Sequence, residues 1–364
     1  MTDDSWPQEG HDSAKTASVE AAWSQAAPQP GRRLRSVASP PVTSGRWIAY
    51  VSGEGRLVVR DHRTWHRRWE TDLGLADQVE SALRMRDFAF PSPAIADDVV
   101  CLRLDDDILL GGFDLDSGRE VWTFVAEHTI ESSPTVADGL ILLADSVGGC
   151  YAINPGRGTS RWAITLTDEG IEHPPVAAGG LAYVATSDGM IHAIDIQRGK
   201  VLWPAVAGAY AHPSIAVSGA VLLATCADRL VGIDAHSGER RWRRRVGSSL
   251  GGLAVGRGAA VVCGESTVYG IAIADGAVRW ERPLEGRLGA PAVAGDVIFV
   301  AAEAPARLYG LSLDAGRELW SAELKTPAIC PPVPVDGRLF VTVAAGDLDV
   351  WRFGARGHSQ SRSR

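Results

Sequence analysis

The chain has 364 residues, a formal net charge of −8, 45% hydrophobic residues and 22% charged residues, an ordinary globular composition. An acidic balance of this size argues against nucleic acid as a main partner. No run of about 18 apolar residues is available to cross a bilayer as a helix, so no membrane role is expected.

Taken in chain order, residues 1–17 open the molecule as a segment expected to be partly ordered, and Trp23 follows on an isolated strand. Trp69, Trp122, Trp162, Trp203, Trp242, Trp280 and Trp320 then recur about every forty residues. A fixed period of that length marks one supersecondary unit copied many times. Eight residues before the tryptophan stands Asp61, Asp114, Asn154, Asp195 or Asp234. Four before it stands Gly118, Gly158, Gly199, Gly238, Gly276 or Gly316. A short polar side chain that bonds nearby backbone, followed by a residue tolerant of positive φ, is tight-turn chemistry. Each motif therefore reads as strand, turn, strand. Upstream of each lies a short apolar run, a glycine-containing turn and a second apolar run, as in SPTVADGLILLA from Ser133 and APAVAGDVIFVAA from Ala290. These are two more strands. One unit is thus four antiparallel strands in about forty residues, the content of a propeller blade.

Between the first and second units the chain is longer, and 76–86, with Val79, Leu83 and Met85 at helical spacing, predicts one short helix on the rim. Loops of this length serve as binding lids or as covers for the fold. The run Arg240, Arg241, Arg243, Arg244 and Arg245 flanks Trp242 and reads as a solvated outer strand. After Trp320, three strands between about Ile329 and Phe353 lack a terminal tryptophan strand. Pairing them with the strand around Trp23 completes an eighth blade. The expectation is an all-β, eight-bladed propeller of four-stranded antiparallel blades over 18–353, closed by its two chain ends, which removes the open edges of the ring. The Ser-, Arg- and Gly-rich residues 354–364 are expected to be a disordered tail.

The Asp-x3-Gly-x3-Trp pattern, the Ser/His-Pro-x-Val strand starts and the opening Trp6-Pro-Gln-Glu-Gly-His-Asp-Ser-Ala-Lys-Thr16 resemble the pyrroloquinoline-quinone-like repeat propellers. That family includes quinoprotein alcohol dehydrogenases, outer-membrane assembly lipoproteins and the sensor domains of some bacterial kinases. The resemblance covers roughly Trp6 to Phe353 and departs at Ala272 and Ser312, in place of the motif Asp, and at Trp65, in place of the motif Gly. The family's quinone-dependent enzymes use an adjacent pair of cysteines and a calcium site built from Glu, Asn and Asp. Here no two cysteines are adjacent, and the single asparagine, Asn154, lies in a motif turn. Quinone redox chemistry is therefore not expected, and no cofactor is predicted.

The five cysteines are odd in number and scattered without a Cys-x-x-Cys. They read as small buried residues in a reducing compartment. The first 20 residues hold no signal-type apolar core, and no cysteine near the start could carry a lipid. A cytoplasmic monomer is expected.

Ligand sites in propellers of this family sit on the face of the interblade loops. The residue before each strand-opening proline should ring that mouth: Ser39, Ser92, Ser133, His173, His212, Ala290 and Cys330, with Gly251 where the sixth blade lacks the proline. His128 and Glu131 precede the third blade, Glu172 neighbours His173, and Tyr210 lies two before His212. Histidine titrates near neutrality and can act as acid, base or ligand, so this sector could hold a small molecule or a divalent metal. A wet channel lining is the competing reading. Asp105, Asp106 and Asp107 in one turn supply fewer oxygens than calcium takes and read as solvated. His62 and His66, beside the first motif turn, read as surface. No catalytic sequence motif was found. The favoured function is a binding, scaffold or sensor ring facing a protein partner or small ligand. The alternative is a pathway enzyme using His128, His173, His212 and Glu172 under the helix.

Overall fold

Eight antiparallel sheets follow one another around a ring in a computed structural model that describes residues 18–19, 23, 26–84, 91–104, 106–171, 173–208, 214–247, 250–344 and 346–353. Blades 1 to 7 occupy 42–72, 94–125, 135–165, 176–206, 215–245, 253–283 and 292–323. Within each, four consecutive strands pair in order from the ring axis outward. The eighth blade takes three strands from 333–352 and its outermost strand from Gln29–Arg35, paired antiparallel with Asp347–Arg352. The chain ends close the ring, as the sequence predicts. Up-and-down strand order puts the motif turns on one face and the interblade loops on the other.

The closing strand differs from the expectation in position. Trp23 is not on it. Trp23 lies outside any strand, buried edge-on against Phe299 of blade 7 and Phe353 at 5.4 and 5.1 Å. Upstream of it, Ser18–Val19 pairs parallel with Ala292–Ala294, the axis-side strand of blade 7. Ser18–Val19 thus lies on the axis side of blade 7, Trp23 packs against blades 7 and 8, and Gln29–Arg35 lies on the outer side of blade 8. Beginning six residues after Trp23, the Gln29–Arg35 strand satisfies the backbone edge that Trp23 was expected to cover. Its clamp is Arg33, whose Nε and Nη2 donate to the two Asp349 carboxylate oxygens at 2.5 and 2.6 Å.

Blade-to-blade packing explains the motif. The Trp122 ring lies on Gly158 of the next blade, where a Cβ would come within 2.5 Å of it, and its indole N–H donates to the Pro155 carbonyl at 2.6 Å. Trp69, Trp162, Trp242 and Trp280 make the same bond, to Leu115, Ile196, Ile273 and Leu313. The glycine is required twice over, by positive φ (65° at Gly158) and by the ring above it. Leucine, isoleucine and valine of adjacent blades fill the remaining space in extended buried clusters.

The predicted helix forms over Ala76–Arg84. Its Val79 is fully buried with Leu75, Leu57 and Leu102, so it covers the core between blades 1 and 2. Residues 85–86 lie outside the described residues. Among the described residues no helix is long and apolar enough to cross a membrane.

Candidate functional site

The strand-opening residues do not stand free around a mouth. Ser39, Ser92 and Ser133 are buried. The Val51 N–H donates to Ser39 Oγ at 2.9 Å, and the Ser92 N–H donates to Ser133 Oγ at 3.0 Å. The second bond joins two blades, as does the Thr135 hydroxyl, which donates to the Pro175 carbonyl at 2.7 Å. The serine hydroxyls before proline thus accept backbone N–H groups, and their role is to hold strands and blades together. Cys330 is buried and in no disulfide. His173 is half-buried, while His128 and Glu131 are exposed. Glu172, Tyr210 and His212 lie outside the described residues.

Around His128 a cleft of ≈ 320 Å³ opens on the interblade face. Glu127 and His128 come from the connection between blades 2 and 3, Asp145, Val147 and Gly149 from the turn between the second and third strands of blade 3, and Thr165 and Asp168 from the far side of that blade. The floor is rigid. Asp145 is fully buried and accepts the N–H groups of Val147 at 3.1 Å and Gly149 at 2.7 Å, and the Tyr151 hydroxyl at 2.7 Å. The Glu127 N–H donates to that hydroxyl at 3.2 Å. Burial, reinforced by the Asp145 carboxylate, pushes the Tyr151 hydroxyl far above its ordinary range, so it remains a donor. Ser146 N–H donates to Thr129 O and Leu166 N–H to Gly148 O, both at 2.9 Å, tying the turn to the loops on either side. Val147 is held at the tip, 37% exposed.

The sequence pointed to His128 but missed Glu127, Asp145, Val147 and Asp168. The signal for Asp145 was Asp-Ser-Val-Gly-Gly, a carboxylate set to accept backbone N–H groups from a glycine turn. Among the described residues no group of three or more His, Cys, Asp or Glu is arranged to hold a metal ion. The Asp turn of blade 2 is part of the framework: Asp107 pairs with half-buried Arg103 at 2.9 Å, and Asp106 accepts the Ile108 N–H at 3.3 Å. Asp105 lies outside the described residues. A second cleft, of ≈ 380 Å³, lies on the motif-turn face. There Trp47 is flanked by the Arg46 and Arg68 guanidinium groups at 5.1 and 4.3 Å, and these pair with Asp61 and Asp116. His62, expected at the surface, is fully buried at the joint of blades 8 and 1. It takes the position where other blades carry Leu115 or Leu313, and polar groups of blade 8 surround it.

The sequence profile of the outer membrane protein assembly factor BamB matches residues 13–104, 105–263, 230–329 and 264–358. The chain belongs to this family. Among solved structures it is similar to BamB from Moraxella catarrhalis, at 18% identity and a TM-score of 0.75, covering 92% of this chain and 100% of that one. The quinohemoprotein alcohol dehydrogenase from Comamonas testosteroni has a TM-score of 0.75 at 14% identity, covering 97% and 81%. The computationally designed Ika8 protein reaches 0.73 at 12% identity, covering 91% and 100%. No curated protein matches. An assembly factor, a redox enzyme and a designed ring share this backbone, so the likeness shows the fold alone, and function must be argued from the site. The five cysteines are buried at separate points around the ring, and none is in a disulfide.

Proposed function

We propose that this chain is a non-redox interaction ring that docks a protein partner on its interblade face, centred on the cleft around Val147. The observation that carries the reading is the exposed Val147 on a turn locked by buried Asp145, with Glu127, His128 and Asp168 around it. An apolar tip inside a polar rim is the anatomy of a protein interface. A backbone already fixed by hydrogen bonds is pre-organised, so little conformational freedom is lost on docking. The rim carries two carboxylates, Glu127 and Asp168, which selects a partner surface with basic residues around an apolar pocket. Membership in an assembly-factor family accords with binding proteins. In the same reading the ring is a cytoplasmic monomer, for which five cysteines outside any disulfide are suited.

A photo-crosslinking residue at position 147, compared with one at the exposed His66 on the motif-turn face, tests the site in cells that express the chain. The expected result is a discrete protein adduct from position 147 that is absent from position 66. Equal labelling at both positions, or none at 147, would overturn the proposal.

A further inference from the structure

The repeat provides its own control for reading an unusual strand. Blade 5 ends in Arg240–Arg245, sequence RRWRRR, exposed at every position but Trp242. Arginine one residue before the docking tryptophan is common: Arg68, Arg161 and Arg279 stand there in other blades. Arginine one and three residues after it is not. Those positions hold Glu70 and Asp72, Thr123 and Val125, Ala163 and Thr165, Pro204 and Val206, Glu281 and Pro283, and Ser321 and Glu323 in the other six complete blades. Only blade 5 places Arg243 and Arg245 there.

Register shows what these two residues present. Arg243 stands opposite Val231 and Arg245 opposite Arg229 on the neighbouring strand. The Val246 N–H donates inward to Asp228 O at 3.0 Å. By antiparallel alternation the inward-bonding residues are then Arg244 and Trp242, and the backbone N–H and C=O of Arg243 and Arg245 point away from the blade. Among the described residues this strand has no neighbour on its outer side. Arg245 pairs with Asp228 at 2.8 Å and Arg241 with Asp234 at 2.6 Å. Arg243, opposite apolar Val231, has no hydrogen bond or ion pair among the described residues. The edge thus combines unused backbone groups with a row of cations on one face.

We propose that the outer edge of blade 5 accepts an extended acidic segment of a partner protein as a fifth strand, with carboxylates at alternate positions facing Arg243 and Arg245. Strand addition draws affinity from main-chain bonds and specificity from alternate side chains. Charges on an edge normally guard it against pairing. A run of one sign repels a second copy of itself yet leaves the edge open to a strand of the opposite sign, because opposed cross-strand charges attract and like ones repel. The basic strip is one strand wide and about 20 Å long, with Asp228, Asp234 and Asp275 along its margins. That geometry suits a single acidic strand better than a nucleic-acid backbone, which needs a broader basic face. This surface is separate from the Val147 cleft, and its test bears only on the edge.

The test titrates a fluorescein-labelled (Thr-Glu)4 peptide into the full chain, beside a (Thr-Lys)4 peptide, a single-stranded oligonucleotide and vesicles rich in anionic lipid. The expected result is saturable binding of (Thr-Glu)4 alone. R243Q/R245Q should weaken it about tenfold or more, the equivalent of one strong contact or a few weak ones. R243P, which also deletes an outward N–H without touching the inward ladder, should weaken it beyond R243Q. Hydrogen exchange adds a readout that charge attraction alone would not move: the Arg243 and Arg245 amides should become protected when the peptide is bound. Unchanged affinity in R243Q/R245Q, absence of that protection, or tighter binding of the oligonucleotide or vesicles would overturn the proposal.

Discussion

A single histidine shows how one side chain changes character when the repeat around it is interrupted. At the position of His62 the other complete blades have Leu, Pro, Ile, Ala, Ile and Leu, buried under the tryptophan of the preceding blade. Blade 8 lacks that tryptophan, and His62 lies among polar groups instead. Its Nε2 is 3.1 Å from Gly45 O, with Asp336 at 3.9 Å and the Arg338 guanidinium at 3.4 Å from Nδ1. Burial lowers its pKa below the ordinary 6.5. The Gly45 carbonyl and Asp336 oppose that shift, while Arg338 and Arg63 add to it. The neutral ring is the folded form, so the stability it contributes is fully present above about pH 6.5 and is lost as pH falls toward the depressed folded value. Neighbouring Asp61 acts in a lower window. Burial would raise its carboxyl, but the Thr64 N–H, the Arg46 guanidinium and the Arg63 N–H outweigh burial and hold it far below 3.8. Half-buried His192 is shifted downward by burial too, so part of the acid response belongs to it. Melting temperature measured from pH 7.5 to 5 should fall in the parent chain and fall less steeply in His62→Leu. Parallel curves for the two would show that His62 is not a source of the response.

At the scale of elements, the joint of blades 8 and 1 reverses the docking rule. Elsewhere a tryptophan on one blade rests on a glycine of the next. Here the tryptophan position holds Arg32 and the glycine position holds Trp65, and the Arg32 guanidinium lies 5.8 Å over the Trp65 ring. Trp65 keeps the motif's left-handed backbone, φ 68°, at a cost of about 1 kcal/mol for a residue that is not glycine. In return its ring packs on Phe340 at 6.1 Å and is buried. Trp65→Gly relieves the strain but empties the joint, and a net loss of about 2–4 kcal/mol is expected from the cavity. Adding Arg32→Trp restores the usual order and should recover at least half of that loss in a denaturant titration. Additive destabilisation in the double variant would show that the two positions are independent. The exchange also marks what could be read in advance. Period, strand count and turns were legible because each unit repeats the same local chemistry. That Trp65 was a departure was visible as well. That it replaces a partner missing from Gln29–Arg35 was not, since the closing register depends on contacts more than three hundred residues apart, such as Arg33 with Asp349. Likewise Trp23 has the composition of a docking residue, and only tertiary packing against Phe299 and Phe353 shows that it is a plug beneath the ring. The site was less legible than the fold. His128 stood out by residue type, whereas Asp145 and Val147 gain their meaning from a turn whose neighbours come from three connections.

Ring closure is a property of the whole molecule and gives its sharpest test. Every blade but the eighth is contiguous in sequence, so seven of eight could form from local pairings, and the last must wait for the two chain ends to meet. Without residues 1–35, blade 8 keeps three strands and Asp347–Arg352 becomes an uncovered edge. That edge alternates Leu348 and Val350, which face the core, with Asp347 and Asp349, whose guanidinium partner is gone. An uncovered strand is a template for pairing with another chain, but two carboxylates on it oppose like strands. The variant lacking 1–35 should therefore be less stable by several kcal/mol, on the order of removing one strand and a buried tryptophan, and should associate in a concentration-dependent way that acid promotes as the carboxylates are neutralised. A synthetic peptide spanning 26–38, which restores the strand and Arg33, should return the light-scattering mass toward that of the parent. If the truncated chain keeps the parent's melting temperature and mass, the closing strand is dispensable, and the clusters shared by blades 7, 8 and 1 hold the ring without it.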